Sequence, residues 1–471
     1  IARCFRDEDL RADRQPEFTQ VDMELSFVSQ EDILLHLEKL FKYLFKRCLD
    51  IELSAFKRMT WHEAMDIYGS DKPDLRFDMP IYDLSDIAKG CGFSVFRKAI
   101  EQKGRVRALC VKGGAAFTRT EIEGLTRRAV SLGAKGMAWI SVQPDGSYYS
   151  ILTKFMSKEE LDGVALRVKA EPGDFILFCA DSQPTVSRVL GGLRLEIGDM
   201  LGLRDKGKYE FLIVTDFPQF EYSQEEKRYI SAHHPFTMPY PEDIKYLKSA
   251  PERVRAQSYD VVLNGVELGS GSIRIHDQQI QKLVFEALGF SDQEIEERFG
   301  FMVNAFKYGA PPHGGFAFGL DRLVMLMLGC DSLREVIAFP KNKEAVCVMT
   351  GAPDYVDREQ LEALKLGTAC GDRDAERKKA GVKMDLDNIA MLARLSIPAD
   401  QKEALERDMM DIIEMADRLS EIEADRETIN ISGLKNVMRP DEPGEAYKRE
   451  ELLKNARTKT GEYITVPKVL E

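Results

Sequence analysis

The 471-residue sequence has eight cysteines but no Cys-x-x-Cys pair and no zinc-type spacing among them. That excludes the common structural zinc frameworks and suits free thiols in a reducing cytoplasm. No apolar run is long enough to span a bilayer and no signal peptide opens the chain, so no membrane partner is expected. There is no Walker phosphate loop and no Ser/His/Asp arrangement with a nucleophile elbow. A chain of this kind that handles ATP does so without the usual loop. Internal repeats and low-complexity tracts are absent. So is any excess of positive charge: the net charge of −13 argues against a generic nucleic-acid coat but leaves room for a local basic site.

What is present reads as several domains, because 471 residues exceed one ordinary core. The start reads as two short strands and then an amphipathic helix with Ile33, Leu34, Leu37, Leu40, Phe41 and Leu44 at helical spacing. After "YGSDKPDLRFDMP" the texture changes to Gly-rich turns and short β-type runs, as expected of an inserted α+β domain. Strand texture resumes with "YEFLIVTDFPQF". A charged linker follows. A predicted helix from Ala399 to Ile422 then carries one narrow stripe of Leu405, Met409, Ile412, Ala416 and Leu419, suited to docking. The first residue is Ile rather than Met, from which a missing N-terminal part is expected.

Four stretches could carry chemistry. The first is "CFRDEDLRADRQPEFTQVD", from Cys4 to Asp22. Two antiparallel strands joined by a charged loop would set Arg6 and Glu8 on one side and Gln20 and Asp22 on the other. A fixed arginine there can hold a phosphoryl oxygen, and the acids suit an amine or a magnesium ion. Taken alone, the stretch reads more readily as a salt-bridged hairpin. In the second stretch, "YDVVLNGVELGSGSIRIH", Asp260 and Glu267 stand on strands flanking a turn, where two carboxylates can bind Mg2+ bridging nucleotide phosphates. Arg274 follows, although a strand arginine is more often a surface residue. In the third, "PPHGGFAFGLDRLVMLMLG", a glycine-rich strand runs into a helix, with Gly319 at the join and Arg322 in the first turn. Ordinary strand-to-helix packing explains it equally well. The fourth, "SAHHPFTMP", holds His233 and His234, which face opposite sides of a regular strand and cannot chelate one metal from it.

In this order the stretches closely resemble a bacterial-type aspartyl-tRNA synthetase, a class II enzyme. "CFRDEDLRADRQPEFTQVD" is similar to that family's motif 2 and "GGFAFGLDRL" to motif 3; "HHPFT", "YDVVLNGVELGSGSIRIH" and "YGSDKPDLR" match its intervening stretches. The resemblance implies an α+β fold with an antiparallel-sheet catalytic domain and an inserted α+β domain. Its expected parts are 1–96 (catalytic, motif 2), 97–215 (insertion) and 216–366 (catalytic, motif 3). It further implies ATP as substrate with Mg2+, and L-aspartate and tRNA-Asp as partners. Arg6 would hold the α-phosphate and Arg322 the γ-phosphate, as the two catalytic arginines. Asp7, Glu8, Gln15, Gly319, Leu320 and Asp321 would complete the nucleotide site. Asp260 and Glu267 would bind Mg2+, Glu267 also touching ATP, with Ser270 a weaker candidate. Arg274 would grip the aspartate side chain, assisted by His233, and Asp22 would face the amino group.

After a linker at 367–382, residues 383–471 resemble the C subunit of the aspartyl/glutamyl-tRNA amidotransferase, through "NIAMLARLSIP", "LKNVMRPDEP", "LLKNA" and "YITVPKVLE". In its family that small protein has no active-site residues and joins the A and B subunits of the amidotransferase. The resemblance implies a small helical domain with an extended tail; a generic helical dimerisation tail is the alternative. Fusion to it suggests that the synthetase also charges tRNA-Asn with aspartate, for conversion to Asn-tRNA. The family's anticodon-binding barrel, motif 1 and upstream aspartate-binding loop are absent from the sequence. The full-length protein is therefore expected to be an active homodimer in the cytoplasm, and this chain alone a poor enzyme. A non-catalytic paralogue serving as an amidotransferase scaffold, or an asparagine-specific ligase, are the competing readings.

Overall fold

Ala2–Phe5 (β1) and Glu17–Ser26 (β2) pair antiparallel, with Ala2 opposite Gln20 and Phe5 opposite Glu17. The computed structural model describes residues 1–8, 10–354, 356–366, 398, 401–402, 404–409, 411–412, 459–460 and 463–464. The chain divides into two units, Ile1–Tyr355 and Val356–Glu471.

After β2 comes the helix Gln30–Leu49 (α1). Ser29 caps it, accepting from the Asp32 amide while the Asp32 carboxylate accepts from the Ser29 amide, and Asp50 ends it in the left-handed region at φ 57°. Its apolar stripe is the predicted one: Ile33, Leu34, Leu37, Phe41 and Phe45 are buried, Leu40 and Leu44 partly so. Each fully buried side chain of this size contributes about 1.5–3 kcal/mol. Lys57–Thr60 (β3) and Trp61–Tyr68 (α2) lead to the smaller layer. That layer comprises Ile81–Asp83 (β4), Ser85–Gly90 (α3), Ser94–Glu101 (α4), Arg105–Val111 (β5), Arg119–Ser131 (α5) and Ala138–Val142 (β6). Tyr148–Tyr149 (β7), Lys158–Arg167 (α6), Phe175–Asp181 (β8) and Gln183–Met200 (α7) complete it. The chain returns through Phe211–Pro218 (β9), Phe220–Ser223 (β10), Arg228–Ser231 (β11), Arg255–Leu263 (β12) and Val266–Ile273 (β13). Gln278–Ala287 (α8), Asp292–Phe306 (α9), His313–Gly319 (β14) and Leu320–Met327 (α10) follow.

The main sheet has seven strands in the order β1-β2-β14-β13-β12-β9-β3, antiparallel except for the parallel pair β3–β9. The stripe of α1 packs on one face of it, against Ile213, Tyr259, Val261, Phe316 and Phe318. The other face carries the polar alternates of β2 and β13 and the small alternates of β14. The five-stranded sheet, β4-β5-β8-β6-β7, is buried on both faces. One face lies against α3, α4 and α6, the other against α5 and α7.

Three predicted boundaries fall elsewhere in the structure. The smaller layer begins with β4 at Ile81 rather than at 97, because a three-residue strand offers too few alternations to be seen in sequence. The boundary at 215/216 falls inside β9, which belongs to the main sheet. The first unit ends at Tyr355 rather than at 366.

In the second unit, Arg358–Ala363 forms a short helix (α11), and Lys459–Thr460 (β15) pairs antiparallel with Tyr463–Ile464 (β16). Residues 402, 404–409 and 411–412 are helical, within the predicted helix Ala399–Ile422. There Leu405 is 39% exposed and Ile412 67% exposed. Ala416, Leu419 and the predicted linker at 367–382 lie outside the described residues. Among the described residues seven cysteines are free, and no helix is long and apolar enough to cross a membrane.

Candidate active site

Strand register builds the site. Asp22 on β2 stands opposite Ala317 on β14, Ala317 opposite Ser270 on β13, and Ser270 opposite Asp260 on β12. The next row of the same face is Glu24, Gly315 and Ser272. Gly315, Ala317 and Gly319 keep the middle of this face open. A side chain at Gly315 would run into the Met23 carbonyl and the Glu24 carboxylate.

One end of the face is a cavity lined by Arg6, Glu8, Gln15, Glu267, Gly319 and Arg322, among others. Arg6 follows β1, and its amide donates to the Pro16 carbonyl at 2.9 Å. Its guanidinium lies over the Phe18 ring, 5.2 Å from the centroid, and 3.8 Å from Glu8 Oε1. With that side chain 59% exposed, most of its donors are free for a ligand. Arg322, in the first turn of α10, donates from Nη1 to the Glu267 carbonyl at 2.7 Å and from Nη2 to the Asp13 carbonyl at 3.2 Å. Gln15 is 2% exposed; its Oε1 accepts from the Lys341 amide at 3.0 Å, and its Nε2 has no partner. Asp321 lines the cavity and clamps β2, accepting from the Thr19 amide at 2.7 Å. Asp7 is exposed and Leu320 begins α10; neither is on the cavity wall.

The turn Asn264–Gly265, with φ values of 54° and 83°, joins the two strands that carry Asp260 and Glu267. A β-bulge after Val261 sets Val262 opposite Glu267, which returns Glu267 to the face of Asp260. Asp260 is 6% exposed, and its Oδ1 has no hydrogen-bond partner. Burial, then the charges of Glu267 and Asp71, raise its carboxyl well above the usual range. Lys72 opposes them.

At the other end Arg274 meets Glu24, with Nε to Oε1 at 3.2 Å and Nη2 to Oε2 at 3.3 Å. Its Nη1 donates to Ser272 Oγ at 2.6 Å and to His234 Nε2 at 2.8 Å. Arginine only donates, so Nε2 accepts from it; on the other side of the ring Nδ1 lies 3.3 Å from the Phe236 amide and 3.4 Å from Thr237 Oγ1. Burial, with Arg274 and His233 adding to it, pushes the imidazole down to about 4. The expectation that His233 assists Arg274 is corrected here: the structure puts His234 on that arginine. His233 packs edge to face on Phe217, its centroid 4.9 Å away. The residues of "HHPFT" leave a regular strand, so alternation could not say which ring turns inward.

Residues 1–343 match the family described as tRNA synthetases class II (D, K and N). The chain belongs to the class II tRNA synthetases. Residues 397–466 match the family described as Glu-tRNAGln amidotransferase C subunit. The chain is 54% identical over 367 residues to an aspartate--tRNA(Asp/Asn) ligase of Moorella thermoacetica, covering 78% of this chain and 61% of that protein. To the enzyme of the same name from Lachnoclostridium phytofermentans it is 53% identical over 370 residues, covering 78% and 62%. To an aspartate--tRNA ligase of Clostridium perfringens it is 51% identical over 378 residues, covering 80% and 63%. The chain thus spans less than two thirds of the length of these relatives.

In this class II synthetase chain, sequence reasoning missed Glu24, Asp71, Lys72 and Ser272, and it gave His234 no role in the site. Glu24 and Ser272 continue the alternation of Asp22 and Ser270, which was the available signal. Asp71 and Lys72 sit in an irregular loop, and only the fold brings them to Glu267.

Proposed function

We propose that the protein activates L-aspartate with ATP and transfers it to tRNA. The observation that carries this reading is one open sheet face with Arg6 and Arg322 at one end, Arg274 at the other, and Asp260 and Glu267 along it. The α-carboxylate of aspartate attacks the α-phosphorus, forming the mixed anhydride and breaking the bond to pyrophosphate. A ribose hydroxyl of the tRNA terminus then attacks the acyl carbon, and AMP leaves. Such transfers require chiefly positioning and charge neutralisation. Arg6 is assigned to the α-phosphate, Arg322 to the γ-phosphate, and Glu8 and Gln15 to the nucleotide. Arg274 is assigned to the side-chain carboxylate, which a guanidinium pairs bidentately, and Asp22 to the substrate's amino group.

Mg2+ fits the acidic pair. Among the described residues no cluster of three His, Cys, Asp or Glu is arranged to hold an ion. Two carboxylates with one buried unpaired oxygen suit a cation that completes its shell from phosphate and water. When bound, the ion would neutralise the phosphate chain. Asp260 and Glu267 would hold it.

The reading extends to tRNA-Asn. Two of the relatives carry the name Asp/Asn ligase, and the C-terminal segment matches an amidotransferase C subunit. Aspartyl-tRNA(Asn) made by the synthetase would be amidated by an amidotransferase whose A and B subunits dock on that segment. A flexible tether gives effective concentrations on the order of millimolar. A homodimer in a reducing cytoplasm completes the proposal. Aspartate-dependent ATP–pyrophosphate exchange by the full-length protein tests the first step, and charging of purified tRNA-Asp and tRNA-Asn tests the second. Absence of exchange rejects the ligase reading; charging of tRNA-Asp alone rejects the coupled route.

A further inference from the structure

A lysine stands where a divalent ion would be drawn. Lys72 lies in the loop between α2 and β4, its Nζ 3.9 Å from Glu267 Oε2 and 3.4 Å from Asp71 Oδ1. Its amide donates to Ser70 Oγ at 3.1 Å, which tightens the turn that presents it. The loop is fastened from below. Asp74 is fully buried and bonded to Arg76 and Arg204, and it packs directly under Gly265 in the turn of the β12–β13 hairpin. A Cβ at Gly265 would lie 3.0 Å from that of Asp74. The segment that carries Lys72 and the hairpin that carries both acids are therefore packed directly on one another.

The charges around Glu267 come from several elements. Its main-chain carbonyl is held by Arg322, its carboxylate faces Lys72, and Asp260, Asp71 and His233 lie within electrostatic reach. The unpaired, buried oxygen of Asp260 is an independent sign that the cluster is built to receive a positive ligand. Lys72, with its side chain 45% exposed, carries the group's compact cation on a long flexible stem, paired with Asp71 and Glu267 at its tip.

We propose that Lys72 is a positioning residue that stands in for the divalent cation at Glu267 and swings toward the phosphate chain when that cation binds. Without an ion it keeps the acids from repelling one another. With metal–ATP present, the displaced ammonium would be drawn to the negative charge of the phosphates that leave as pyrophosphate. The second step rests on the ligase reading; the first does not.

The test is a Mn2+ titration of the 471-residue chain followed by electron paramagnetic resonance, with neither ATP nor aspartate present. Removing a competing exposed ion pair in Lys72→Met should tighten Mn2+ binding about threefold or more, while Lys72→Arg stays near the unsubstituted protein. Asp71→Asn should loosen it by a similar factor. A role only in folding would move both variants the same way, and Lys72→Gln serves if the methionine variant does not fold. Equal or weaker Mn2+ affinity in the lysine variants overturns the inference, as does the lack of any Mn2+ binding. If exchange activity is missing from the full-length protein but these opposite shifts appear, the ligase reading fails and the cation exchange stands.

Discussion

Arg322 and Glu267 are joined through the main chain: Nη1 of the arginine donates to the glutamate carbonyl at 2.7 Å. The same guanidinium reaches the Asp13 carbonyl at 3.2 Å, so it ties the start of β13, the loop after β1 and the first turn of α10. Glu267 and Arg322 both line the cavity, and Arg322 Nη2 also lies 3.7 Å from the Asp13 carboxylate.

A lysine at position 322 carries one compact donor group and cannot span both carbonyls. Arg322→Lys is expected to raise the KM for ATP about tenfold, and Arg322→Ala to lower exchange by about 10²- to 10³-fold, the usual scale for one charge-stabilising donor. Because the side chain is only 25% exposed and holds two carbonyls, the alanine variant should also melt at a lower temperature, and the lysine variant less so. Exchange kinetics with calorimetry on the full-length protein check both. An unchanged KM for ATP in the alanine variant would remove Arg322 from the nucleotide site.

Arg274 is held on three sides, by Glu24, Ser272 and His234, before any substrate is present. Arg274→Leu should abolish aspartate activation while leaving ATP binding intact. Glu24→Gln should weaken aspartate binding about tenfold, because a charged hydrogen bond that orients the guanidinium is worth about 1.5–3 kcal/mol. Isothermal titration with each substrate separates the two effects. Loss of ATP binding in Arg274→Leu would mean that the arginine serves the fold instead.

Legibility followed periodicity. The stripe of α1 and the alternation around Gln20 and Asp22 were visible because a helix and a half-buried strand repeat over many residues. The turn that sets Asp260 near Glu267 was visible in "LNG", since Asn and Gly accept positive φ. The three-residue β4 was not, and neither was the choice between His233 and His234, which depends on tertiary packing. Lys72 illustrates the same limit. Its loop could be quoted from the sequence, but its partner lies almost two hundred residues away, and tertiary packing such as the Asp74–Gly265 contact brings the two together.

His234 makes stability depend on pH. Its folded-state value is about 4 against an ordinary 6.5, chiefly through burial and then through Arg274. Between those values the unfolded chain binds a proton that the folded chain does not. Stability therefore rises with pH across the window and is lost as pH falls from 6.5 toward 4, by at most about 1.4 kcal/mol per pH unit for one group. His234→Gln, whose amide oxygen can still accept from Arg274, should flatten that slope. Denaturant unfolding at a series of pH values gives the comparison, and an equal slope in the variant would mean that other groups set the acid limit.

Asp74 is the buried pin under the site, and its removal should cost the most. Its side chain is 0% exposed; Oδ2 accepts from Arg76 Nη2 at 2.6 Å and from Arg204 Nε at 3.1 Å, and Oδ1 accepts from Arg76 Nε at 3.0 Å. Burial alone would push this carboxyl up, but the hydrogen bonds and charges of Arg76, with that of Arg204, hold it below its usual range. Asp74→Ala removes one partner of a buried pair and leaves Arg76, 7% exposed, without its counter-charge, which typically costs about 3–5 kcal/mol. Asp74→Asn keeps the shape and half of the hydrogen bonding and should cost less. The two variants also differ in what they do to Lys72. The alanine variant keeps its Cβ under Gly265 but releases Arg76 and Arg204 from the loop, so its Mn2+ affinity should drift from that of the unsubstituted protein, whereas the asparagine variant keeps the loop seated. Urea unfolding of both, with Mn2+ titration of whichever remains folded, reads out the pin and the loop separately. An alanine variant as stable as the unsubstituted protein would show that the arginines find other partners and that Asp74 holds nothing in place.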